Sequence, residues 1–119
     1  MEIYNFSSAK IHFVHICEGS YQITYQVAID NYNKYFYLDS HIAYNADYLI
    51  ELIKAQPYSE EEKKKYYLNL VEAMNTDGKF EKEYNYIKDF ENKILILEIY
   101  KEYNEQKSIR NGGNKRWII

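Results

Sequence analysis

With 119 residues and a mass of 14.4 kDa, the chain has the length of a single domain. Hydrophobic residues at 46% and charged residues at 28% fit a globular fold, and exclude a disordered chain that lacks apolar surface to bury. The longest apolar runs, Tyr35 to Leu38 and Ile94 to Leu97, have four residues, far short of the ~20 that a membrane-spanning helix needs.

The first 58 residues carry three lysines against six acids, and the rest carry twelve bases against twelve acids, for a net charge of −3. A mildly acidic body repels phosphate backbones, so no direct nucleic-acid binding is expected. One cysteine, Cys17, leaves no internal disulfide to form, and the start Met1-Glu2-Ile3-Tyr4 lacks the pattern of a secretory signal. A cytoplasmic location is expected. Fifteen tyrosines stand out. Tyr buries its ring, keeps a wet hydroxyl and is favoured on recognition surfaces. The alternative explanation is an AT-rich coding sequence, which would enrich Tyr, Asn, Lys and Ile together.

In chain order, Lys10 to Glu18 is rich in Ile, Phe and Val, and Glu18-Gly19-Ser20-Tyr21 suits a tight hairpin. Tyr21, Ile23, Tyr25, Val27 and Ile29 then alternate with polar or small residues, the period of a half-buried strand. Asn31-Tyr32-Asn33-Lys34 turns the chain into Tyr35-Phe36-Tyr37-Leu38. Helices follow. Leu49, Leu52 and Ile53 make a short stripe behind an Asn45 or Asp47 cap. Ser59-Glu60-Glu61-Glu62 opens a second helix, with Tyr67, Leu70, Val71 and Met74 as its apolar stripe.

No glycine or proline interrupts 79–111, where Ile87, Phe90, Ile94 and Leu97 fit an inward helical seam. Ile96, Ile99, Tyr100 and Tyr103 form a second stripe on another face, offered for self-association. Such a helix is apolar over most of its girth and needs burial on two sides. Ile94 to Leu97 also reads as the start of a buried strand. The predicted fold is α+β: a three-stranded antiparallel meander over about 10–39, packed in two layers on three helices over about 46–56, 60–76 and 79–108. Residues 1–109 form the domain, and 110–119 form a basic tail.

Catalytic parts are few. His15 and Cys17 lie two apart on a strand, a geometry for two metal ligands or a thiol beside a base. No HxxxH, CxxC or HExxH spacing completes the set, and with Ile11 and Phe13 on the same face Cys17 reads as a small core residue. Asp39-Ser40-His41 is no triad, because adjacent strand residues diverge. Glu18, Asp30 and Asp39 sit beside turns, where acids are common, although together they could hold Mg²⁺. Gly112-Gly113 lacks the helix and lysine of a phosphate loop. No catalytic residue, metal or cofactor is assigned.

A binding surface is better supported. If Tyr21, Ile23 and Tyr25 face the helices, Val14, Ile16, Tyr35, Tyr37 and Asp39 gather on the outer sheet face. The expected function is a non-catalytic inhibitor that occludes a partner protein, such as a nuclease or toxin, in the manner of phage anti-defence or immunity proteins. A homo-oligomeric adaptor is the alternative, followed by a small-molecule or nucleotide enzyme using His15, His41 and nearby acids.

Overall fold

A computed structural model of the chain describes residues 10–29, 32–37 and 42–110. Among these residues the fold is α+β, with an antiparallel sheet and four α-helices. Strands β1 (Lys10–Cys17), β2 (Ser20–Ile29) and β3 (Tyr32–Tyr37) run in spatial order β1-β2-β3. The two-residue β4 (Tyr44–Asn45) adds to β2 at its hairpin end, pairing with Ser20 and Tyr21.

Alternation along β1 and β2 sets the layers. Ile11 pairs with Tyr25, Phe13 with Ile23, and His15 with Tyr21 on the inner face. Ile11, Phe13, Tyr21 and Ile23 are buried and join one core with residues of every helix. His12 opposite Thr24 and Val14 opposite Gln22 occupy the outer face. The sheet therefore packs one side on the helices, as the sequence predicts.

Helix α1 (Ala46–Lys54) starts at Asn45, whose side-chain oxygen accepts the Tyr48 amide at 2.7 Å. Helix α2 (Glu60–Met74) starts at Ser59, whose Oγ accepts the Glu62 amide at 3.1 Å. The ammonium of Lys63 donates to the Lys54 carbonyl at 2.9 Å and so satisfies the end of α1. Along the outer edge of β1, Asn69 of α2 donates Nδ2 to the Ile11 carbonyl at 2.8 Å. That bond occupies one of the backbone groups an edge strand leaves open.

The expected single helix over 79–108 is two helices. Helix α3 (Phe80–Tyr84) ends before a five-residue break, and α4 (Phe90–Arg110) begins afresh. Capping makes the break without glycine or proline. Asp89 accepts the Asn92 amide at 3.0 Å, and Asp47 of α1 accepts the Lys88 and Asp89 amides at 2.8 and 3.4 Å. The segment at 94–97 is helix. Ile87 is buried in the break, so it no longer fixes the rotation of α4.

Candidate interaction surfaces and a buried carboxylate

Three features stand out beyond the core: a carboxylate sealed beneath the first hairpin, the outer sheet face, and the outward face of α4. Each follows from local rules.

The β1–β2 turn is two residues long, and Gly19 takes φ +68, which glycine tolerates at little cost. Its missing side chain also admits the Tyr86 ring, because a Cβ at this position would stand 2.8 Å from the ring carbon Cγ. Below the turn lies Glu83 of α3, only 1% exposed. One of its oxygens accepts the Gly19 amide at 2.9 Å and the Tyr21 hydroxyl at 2.7 Å. The other stands 3.2 Å from His15 Nε2, an ion-pair distance at which the ring nitrogen, buried from water, makes no aligned hydrogen bond. Burial, reinforced by the hydrogen bond and charge of Glu83, pushes the Tyr21 hydroxyl well above its usual range. On the exposed side of the turn, Glu18 accepts the Tyr86 hydroxyl at 3.0 Å and pairs with Lys82 at 3.2 Å. Those two groups, Tyr86 first, hold the Glu18 carboxyl below its usual range.

This cluster absorbs two of the candidate chemical groups. His15 faces Glu83 rather than Cys17. A register shift between His15 and Cys17 turns the cysteine out, so its predicted place in the core is corrected to an exposed one. No group of three or more His, Cys, Asp or Glu side chains suited to a metal occurs among the described residues. Glu18 is engaged with Lys82 and Tyr86, while Asp30, Asp39, Ser40, His41 and Gly112-Gly113 lie outside the described residues.

On the outer sheet face, Val14 is 41% exposed and Ile16 is 49% exposed. The register sets Tyr35 opposite Gln26 and Tyr37 opposite Thr24, on strand β3. The side chains at 35 and 37, and Asp39 as a whole, lie outside what the structure describes. Between the β1 edge, α2 and α4 runs an open groove of about 520 Å³ lined by Ile11, His12, Tyr66, Asn69 and Tyr103.

The stripe offered for self-association is corrected. Ile96, Ile99 and Tyr103 are buried in the chain's own core, and Tyr100 stacks on Phe80 with ring centroids 3.7 Å apart. The seam expected to point inward points out instead: Phe90 is 74%, Ile94 46% and Leu97 38% exposed. The inward stripe of α4 is Asn92, Ile96, Ile99 and Tyr103, all buried. The sequence signal that could have shown this is Asp89 with Asn92 three residues on, a helix start inside the presumed helix.

Comparison with known proteins finds no match to a family model, a curated protein or a solved structure. No described helix is long and apolar enough to cross a membrane.

Proposed function

We propose that this protein is a non-catalytic binding protein that occludes a partner protein with the outer face of its sheet. One observation carries the reading: Val14 and Ile16, alternate residues of a strand whose other side is sealed by helices, present apolar side chains to solvent. Apolar side chains held outward on a rigid sheet lose little conformational freedom on docking, which favours recognition. The acidic first half of the chain complements a basic groove, and a nuclease or toxin offers such a groove. Inhibition of that kind, as in anti-defence or immunity proteins, is the specific form we favour, acting in the cytoplasm.

The test is affinity capture from the native host with the tagged full-length chain. We expect one stoichiometric partner that is retained by wild type and lost by a folded Val14→Asp/Ile16→Asp variant. Tyr35→Ala with Tyr37→Ala should weaken binding by at least ~2 kcal/mol without unfolding the domain. A partner held equally by all three chains would remove this face from the mechanism.

A further inference from the structure

We infer that α4 pairs with α4 of a second copy of this chain, in parallel, through Phe90, Ile94 and Leu97. The inference goes beyond the sheet-face reading and uses a different surface.

The helix carries two apolar stripes of different fate. Asn92, Ile96, Ile99 and Tyr103 face the protein's own core, while Phe90, Ile94 and Leu97 are exposed at spacing i, i+4, i+7. At 100° per residue the centre of the exposed stripe lies some 160° round the helix from the centre of the buried one. Two copies brought together along the exposed stripes therefore place their bodies on opposite sides, clear of each other. The exposed residues occupy the d, a and d positions of a heptad, the seam through which helices pair.

Flanking charges choose both the occupant and its direction. Glu91, Glu98 and Glu105 recur every seven residues and line one border as e positions. Lys93 lies on the other border as a g position. Its ammonium is held there 4.7 Å from the centre of the Tyr84 ring. In a parallel pair, a g residue meets the e residue five positions on in its partner, so Lys93 of each copy meets Glu98 of the other. An antiparallel pair would set glutamates against glutamates along one border and leave Lys93 facing Lys93 or Tyr100 of the other copy, with no carboxylate to meet. The surface is thus complementary to itself in one orientation only. Lys101 and Asn104 at the next a and d positions end the apolar seam. That leaves two helical turns of contact, well below the ~1,200 Å² of a stable specific interface, and makes a reversible, concentration-dependent dimer.

Sedimentation velocity on the full chain over a micromolar to near-millimolar series reads the mass. The average mass should climb from 14.4 kDa toward twice that value, and Phe90→Glu, an exposed site that should fold normally by circular dichroism, should hold it at the monomer. Lys93→Glu or Glu98→Lys alone should move the association midpoint at least ~10-fold higher in concentration, and the two together should recover it. In a Cys17→Ser background, Leu97→Cys should cross-link to itself on oxidation, because parallel pairing sets each seam residue opposite its own copy. A monomer at every concentration overturns the inference. So does a dimer that cross-links only when Ile94→Cys is mixed with Phe90→Cys or Leu97→Cys, the antiparallel result, in which a positions meet d positions. Because Val14 and Ile16 are untouched in these variants, loss of self-pairing and loss of partner capture are separate outcomes.

Discussion

At the scale of single residues, Glu83 joins the first hairpin to α3. Burying a carboxylate is unfavourable unless donors surround it, and here a backbone amide and a phenol donate to one oxygen while the His15 imidazole lies 3.2 Å from the other. Removing it strands the Gly19 amide and the Tyr21 hydroxyl. Glu83→Ala should therefore cost about 3 kcal/mol, and Glu83→Gln, which keeps one acceptor oxygen, about 1 kcal/mol. Urea unfolding followed by circular dichroism measures both, and an alanine variant as stable as wild type would show that the junction does not depend on this group. Nothing in the local sequence Phe80-Glu81-Lys82-Glu83 separates Glu83 from its acidic neighbours. Its role was illegible because it arises from a contact 64 residues away.

Tyrosine ionisation works in the alkaline direction. Burial pushes the Tyr67 hydroxyl up to about 12, with the charges of Glu60 and Glu51 adding to it, and raises Tyr21 further. A group whose pKa is raised by folding lends its stabilisation in full below the unfolded value, near 10 for tyrosine, and loses it as pH climbs through the folded value. Stability should thus hold steady to about pH 10 and fall toward pH 12. A series of urea midpoints against pH checks this, and Tyr67→Phe should flatten part of the decline.

Among the elements, caps decide more than propensity does. Asp47 lies on α1 yet binds the amides of Lys88 and Asp89 and the side chain of Asn92, whose oxygen in turn accepts from Lys54 at 2.7 Å. This network ties α1 to the start of α4. Asp89→Ala should cost about 1 kcal/mol, the usual worth of an N-cap, and Asp47→Ala at least as much. Chemical denaturation gives the magnitudes, and an unchanged midpoint for Asp47→Ala would mean that α4 starts at this place without help from α1.

Most of the element plan was legible beforehand because it depends on local rules. The alternation at 21–29, the Glu18-Gly19 turn and the Ser59 cap each declare themselves within a few residues. Asn45 took the first of the two cap roles considered for α1, which released Asp47 for its long-range one. The break at 85–89 is invisible to hydrophobic periodicity for a definite reason. A continuous helix over 79–108 ties the rotation of α4 to Ile87, and under that rotation the inward and outward stripes exchange places. A helix apolar on two sides gives periodicity nothing to choose between. The same ambiguity explains why the candidate site was only partly visible: Val14 and Ile16 followed from strand phase, whereas Phe90, Ile94 and Leu97 needed the true start of the helix.

For the whole molecule, the two proposed binding faces lie on different layers and would have a joint effect. Val14 and Ile16 lie on the outer side of the sheet and the Phe90 stripe on the outer side of the helices. Pairing through α4 would yield a particle bearing two sheet faces. A partner with two equivalent sites would then be held far more tightly than one face alone could manage, provided the spacing allows both contacts together.

The Glu83 junction also bears on the order in which the chain assembles. The β1–β2 hairpin is built from neighbouring residues and closes quickly, as do the individual helices. The bonds from Glu83 to Gly19 and Tyr21, in contrast, join positions 64 and 62 apart. Closing so long a loop is an entropic hurdle, and we expect such a contact to form after the rate-limiting step. Weakening it should leave the refolding rate nearly unchanged and let the native state open faster. On that expectation Glu83 acts as a late-closing latch, and removing it should shorten the lifetime of the folded molecule more than it slows its formation.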